Sequence, residues 1–314
     1  MDYDSLSSYS SWSSSVSTDS ENRPPPPKFI LFGDDITHVA TEQTSGFDLV
    51  AEIQAALSIR VDVINRGYAG YNTDNALEII TSAIPTPEEA AVKFLVVWFG
   101  SNENNKNSLH GKYVTPSQFR ANVVQIITHP SVSAHLPSIH IILITPPPID
   151  ECMLANQMRV NWRDVVEAET RKAKDVKRYR DIVKEVGKGR EVPVLDCWGL
   201  FMKKAGWKEG EEEELPGADP TKRNEVLAEL LTDGLHLTPA GYRLVFDDMM
   251  ALIKYYWPPF TPYINKMSID EIFAWEKVLF NYQIHGPPNK GQPWDVNNDK
   301  RGVGGGLPRV VGGN

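Results

Sequence analysis

Five short apolar runs, each closed by turn residues, alternate along this chain with segments of helical spacing, and that alternation limits the folds open to it. The runs are 29–32, 61–65, 94–99, 140–145 and 192–196, rich in Val, Ile, Leu and Phe, and they read as strands buried on both faces. Between them, 49–57, 75–84, 116–128 and 158–186 carry apolar residues at the 3.6-residue period. Strands alternating with helices predict a parallel central sheet covered by helices on both sides, an α/β three-layer α/β/α sandwich. Functional groups in such sheets collect at the carboxyl ends of the strands. Gly33-Asp34-Asp35, Gly67 and Gly100-Ser101-Asn102 each follow a predicted strand, so the topology alone expects them to converge.

The segment 156–186 reads as one long amphipathic helix, with Trp162, Val165, Val166, Ala173, Val176, Tyr179, Ile182, Val183 and Val186 on its core-facing stripe. The basic residues from Arg171 to Arg180 alternate with acids and read as a solvated helix face. Residues 1–27, dominated by Ser and ending in Pro24 to Pro27, are too poor in apolar groups to offset the entropy of ordering and read as a disordered tail. The predicted globular domain covers 28–257, followed by a helical extension over 258–285 and a Gly/Pro-rich disordered tail over 286–314. Within the extension, Ser268 and Glu271 have the spacing of a capping box at the head of a helix to Tyr282. Glu211 to Glu214 read as part of a surface insertion.

Net charge, −9 with a pI near 5.3, gives no electrostatic footprint for nucleic acid or an anionic membrane. No apolar run approaches the roughly 18 residues of a membrane span. Cys152 and Cys197 lie far apart without metal-ligand spacing, which predicts buried free thiols and no cofactor. The polar, acidic first residues are unlike a secretory leader, so the expected location is cytoplasmic.

Four blocks carry the chemistry: Gly33-Asp34-Asp35-Ile36-Thr37, Asn65-Arg66-Gly67-Tyr68-Ala69-Gly70-Tyr71-Asn72-Thr73, Gly100-Ser101-Asn102-Glu103 and Asp233-Gly234-Leu235-His236-Leu237. In this order they resemble the SGNH, or GDSL, hydrolase family. Asn65-Arg66-Gly67, Gly70-Tyr71-Asn72-Thr73 and Leu143-Ile144-Thr145-Pro146-Pro147-Pro148 are most similar to its isoamyl-acetate-hydrolysing esterases. Each block alone is weak; the joint order carries the signal, over about 28–257. The resemblance implies a flavodoxin-like sandwich and hydrolysis of small carboxylic esters. It assigns His236 as base and Asp233 as its orienter, with Gly67 and Asn102 as oxyanion donors beside the backbone N–H of the nucleophile. The implied ligand is a small-molecule ester or carboxylate.

Asp35 departs from that pattern, because it stands where the family carries its nucleophilic Ser; Glu103 likewise stands where the family usually has Asp. Three readings of Asp35 remain open. A carboxylate attacking an ester gives an anhydride uphill of the starting point, so the chain is a pseudoenzyme, with Asp35 reaching into the oxyanion hole and the surrounding acids holding His236 protonated. Alternatively, Asp35 attacks an sp³ carbon, with His236 activating water in a second step. In the third, Thr37 or Ser101 substitutes for the missing hydroxyl, or His236 acts directly on water.

Overall fold

The computed structural model describes residues 25–41, 46–58, 60–105, 113–161, 171–210 and 214–260. In chain order these hold β1 (Lys28–Gly33), α1 (Asp35–His38), α2 (Leu49–Ala56), β2 (Asp62–Gly67), α3 (Thr73–Ala83), β3 (Val92–Trp98), α4 (Pro116–Ile127), α5 (Pro130–Ser133), β4 (His140–Ile144), α6 (Glu151–Asn161), α7 (Ala173–Arg190), β5 (Val194–Leu195), α8 (Cys197–Lys204), α9 (Glu225–Leu230) and α10 (Pro239–Tyr256). All five strands pair in parallel in the order β2-β1-β3-β4-β5. This is the doubly wound order whose switch point, where consecutive strands leave in opposite directions, opens beside β1.

Alternation along the strands builds the two faces. Phe29 and Leu31 of β1, with Phe94, Val96 and Trp98 of β3, pack against α2, α8 and α10 through Ile53, Phe201, Val245 and Met249. Ile30 and Phe32, with Leu95 and Val97, pack against α3, α4 and α7 through Ile80, Phe119, Val123, Tyr179 and Val183. The result is the expected three-layer α/β/α sandwich. Residues 61–65 were expected to be buried on both faces; Val61 is buried, but β2 is half-buried throughout because it is an edge strand.

The expected single helix over 156–186 is interrupted. Lys172 is extended, with φ −121° and ψ 138°, and α7 begins after it. Glu151 enforces the break by accepting from Ala173 N (2.9 Å) and Lys172 Nζ (2.7 Å), which ties the start of α7 to the first turn of α6. The α7 part of the stripe, Ala173 to Val186, does face the core, whereas Trp162, Val165 and Val166 lie outside the described residues. The solvated reading of 171–180 is also corrected at both ends. Arg171 is 8% exposed and Arg180 2%, the latter enclosed by Asp196, Glu209 and the Trp198 ring.

Cys152 and Cys197 are buried and unpaired as disulfides. Among the described residues no helix is long and apolar enough to cross a membrane. Residues 1–24 and 286–314 of the expected tails, residues 261–285 of the expected extension, including the helix from Ser268 to Tyr282, and Glu211 to Glu213 lie outside the described residues, whereas Pro27 of the expected tail accepts from Asp62 N at 2.9 Å.

Candidate active site

Parallel register brings the ends of three strands level, with Gly33 of β1 beside Gly67 of β2 on one side and Trp98 of β3 on the other. The chain leaves β1 in a turn too tight for any side chain at position 33, where a Cβ would stand 2.0 Å from Thr37 Oγ1 and 2.4 Å from Trp98 O. Asp34 caps α1 by accepting from Ile36 N (3.0 Å) and reaches across to accept from Ser101 N (3.1 Å). It is fully buried, and burial first, then the charge of Asp35, push its carboxyl up to about 7.

Asp35 is the first residue of α1 and points out of the turn. Its Oδ1 accepts from Gly70 N at 2.9 Å, and its Oδ2 accepts from Asn102 Nδ2 at 2.5 Å. The same Asn102 nitrogen donates to Tyr71 O at 2.9 Å. Gly70 has φ +76°, in the left-handed region where a side chain is strained, so a glycine aims that N–H at Asp35.

The structure separates Gly67 from this role. Its N–H is taken by Asn65 Oδ1 at 2.7 Å, and a Cβ there would stand 2.1 Å from His38 N. Asn65 also donates to Thr37 O (2.8 Å), so Asn65 and Gly67 dock β2 against α1. The second-block donor facing Asp35 is Gly70, three residues further on. Gly70, rather than the expected Gly67, carries the second-block backbone N–H that faces Asp35, because its left-handed backbone turns that N–H inward.

Glu103 is fully buried and accepts from Thr73 N at 2.8 Å, tying the Asn102 loop to the first turn of α3. Burial, then the charge of Asp34, push its carboxyl up to about 8. Thr37 and Ser101 are 1% and 3% exposed, with hydroxyls turned into the interior. Neither presents an oxygen to the mouth of the site.

On the opposite wall, the loop between α9 and α10 folds on itself through a bridge between Leu231 and Leu237. Asp233 Oδ1 accepts from the backbone N–H groups of Leu235 (3.0 Å) and His236 (2.8 Å), while Oδ2 meets His236 Nδ1 at 2.7 Å. Burial opposes ionisation of Asp233, but the bond and charge of His236 outweigh it and bring the carboxyl down to about 2. Burial likewise disfavours the charged imidazole, but Asp233, then Asp35 and Asp34, outweigh it and hold His236 above its ordinary value. Tyr242 of α10 donates to Ile36 O at 2.6 Å and so latches this wall to the Asp35 turn.

One residue of the site escaped the sequence reading. Arg171 donates from Nε to Ser101 O (3.1 Å) and from Nη2 to Asn102 Oδ1 (3.4 Å). Nothing in the local pattern marked it, because it sits in a mixed-charge stretch.

These distances place an acid on a strand-to-helix turn, two convergent donors and an Asp–His pair at one end of a parallel sheet. The model of the GDSL-like Lipase/Acylhydrolase family matches residues 31–244, which include all of these groups. The chain belongs to that family. Among its curated relatives, the isoamyl acetate-hydrolyzing esterase 1 homolog of Mus musculus is 27% identical over 237 residues, covering 72% of this chain and 81% of the relative. A GDSL esterase/lipase of Arabidopsis thaliana is 25% identical over 237 residues, covering 74% and 87%. Among solved structures, an acetyl xylan esterase variant from Geobacillus stearothermophilus superposes with a TM-score of 0.50 at 15% identity, over 76% of this chain and 97% of that one. That likeness concerns the fold, and the GDSL-family sandwich is the fold observed.

Proposed function

We propose that this chain is a GDSL-family esterase relative whose oxyanion donors are filled by its own Asp35, leaving a pocket for small carboxylic esters in which hydrolysis is lost or weak. The observation that carries the reading is the pair of bonds to the Asp35 carboxylate from Gly70 N and Asn102 Nδ2. Donors aimed at a developing oxyanion are worth about 10²- to 10³-fold in rate each. A carboxylate already held by them competes with the substrate carbonyl for the same groups. Position 35 also offers no hydroxyl, and attack by its carboxylate on an ester would give an anhydride. His236, raised by its acidic neighbours, is held as imidazolium over a wider pH range and is a poorer base for it. The ligand class follows from the relatives' names and from the local charge. Asp35 already fills both donors and repels a second carboxylate, so a neutral ester fits better than an acid.

Attack by Asp35 on an sp³ carbon is disfavoured by the same geometry, since each carboxylate oxygen already accepts a hydrogen bond. The deciding experiment assays the wild-type protein, Asp35→Ser and Asp35→Ala on short-acyl nitrophenyl esters. The expected result is near-background turnover for wild type and Asp35→Ala, with Asp35→Ser faster by orders of magnitude. A wild type as fast as Asp35→Ser would overturn the proposal.

A further inference from the structure

We infer that Arg171 is a positioning residue whose buried guanidinium fixes which end of the Asn102 amide faces position 35. The inference rests on the reading of Asn102 as the donor to that position. The oxygen and nitrogen ends of a primary amide have nearly the same shape, so their order is decided by partners. Asn102 presents Oδ1 to Arg171 Nη2 at 3.4 Å, and Nδ2 to Tyr71 O at 2.9 Å and Asp35 Oδ2 at 2.5 Å. Guanidinium can only donate, while a backbone carbonyl and a carboxylate can only accept. A flipped amide would set oxygen against oxygen on one side and nitrogen against nitrogen on the other.

Asp35 contributes to this choice here, but a serine at position 35 would not impose it, since a hydroxyl both donates and accepts. The remaining orienters would then be the neutral Tyr71 carbonyl and the charged Arg171. Arg171 is itself held in place, 8% exposed, with Nε bonded to Ser101 O at 3.1 Å in the same loop. The 3.4 Å contact is long for a hydrogen bond, yet the guanidinium charge acts on the amide dipole through a poorly solvated interior. Arg171 lies just before the extended Lys172 that precedes α7, so it is placed by that non-helical stretch rather than by helix periodicity.

The test needs no substrate, so its outcome is independent of whether the chain hydrolyses esters. The side-chain amide of Asn102 is followed by nitrogen NMR on asparagine-labelled Asp35→Ala protein, with its resonances identified by their loss in Asn102→Ala. Adding Arg171→Met should speed exchange of the Asn102 Nδ2 protons by about tenfold or more, the scale of one charge-assisted bond, and shrink their shift separation. Arg171→Lys should restore part of the protection. Backbone resonances of Ser101 to Glu103 report whether the loop itself has moved, a change a merely structural role would produce. If Arg171→Met does not fold, Arg171→Gln, which keeps a donor but no charge, takes its place with the same expected direction. Unchanged exchange and shifts of the Asn102 amide, in whichever variant folds, would overturn the inference.

Discussion

Asn102 donates its side-chain amide to the Asp35 carboxylate at 2.5 Å, across 67 residues of chain, and so joins the turn after β1 to the loop after β3. The proposed oxyanion donor is thereby engaged within the protein. The consequences reach stability, titration and the identity of the second donor.

The Asp35–Asn102 bond should be measurable as a coupling. In a double-mutant cycle of Asp35→Ala and Asn102→Ala, followed by urea unfolding, the interaction energy is expected to be about 1.5–3 kcal/mol, the range for a hydrogen bond to a charged group. Additive effects of the two substitutions would show that the bond contributes nothing.

His236 should titrate above the ordinary histidine value of about 6.5 when followed by proton NMR. Asp35→Ser removes one of the negative charges that favour imidazolium, so its pKa should fall in that variant. The stability contributed by the raised His236 is complete below its unfolded pKa and is lost as pH climbs through the folded value. Asp233 contributes fully above the ordinary aspartate value of about 3.8, and its share is lost as pH falls through about 2.

Glu103 and Asp34 act with His236 and against Asp233. Both carboxyls bind protons more tightly when folded, with values of about 8 and about 7, so folding loses stability as pH rises from the ordinary carboxyl range towards those values. Glu103→Gln keeps an acceptor for Thr73 N and removes one titration. Unfolding measured between pH 5 and 8 should therefore show a flatter profile, with the variant gaining on wild type at the alkaline end by on the order of a few kcal/mol shared by the coupled pair. Parallel profiles would show that Glu103 does not titrate in this range.

Gly67 and Gly70 should fail differently when each is changed to alanine. Gly67→Ala drives a Cβ to 2.1 Å from His38 N and should lower the melting temperature sharply. Gly70→Ala strains a left-handed residue with φ +76°, at a cost of about 1–2 kcal/mol, and disturbs the donor to position 35. In an Asp35→Ser background, folded Gly70→Ala protein should lose most of any recovered esterase rate. Equal rates with and without Gly70→Ala in that background would return the donor role to another group.

What the sequence determined by itself was local or periodic. Apolar runs alternating with helical spacing were enough for the layers, and the position of Gly33, Gly67 and Gly100 after strands was enough for convergence at one edge. Asp233 and His236 were legible because the pair closes within three residues, where the turn leaves little choice of geometry. The choice between Gly67 and Gly70 was different, because every residue except proline carries the same backbone N–H, and only its direction in space distinguishes a donor to Asp35 from one spent on Asn65. Arg171 was likewise invisible: its charge reads as surface until Glu151 interrupts the helix and turns it inward onto Asn102. Tertiary structure decided these points because they depend on distances between segments 35 to 70 residues apart, which neither composition nor periodicity records.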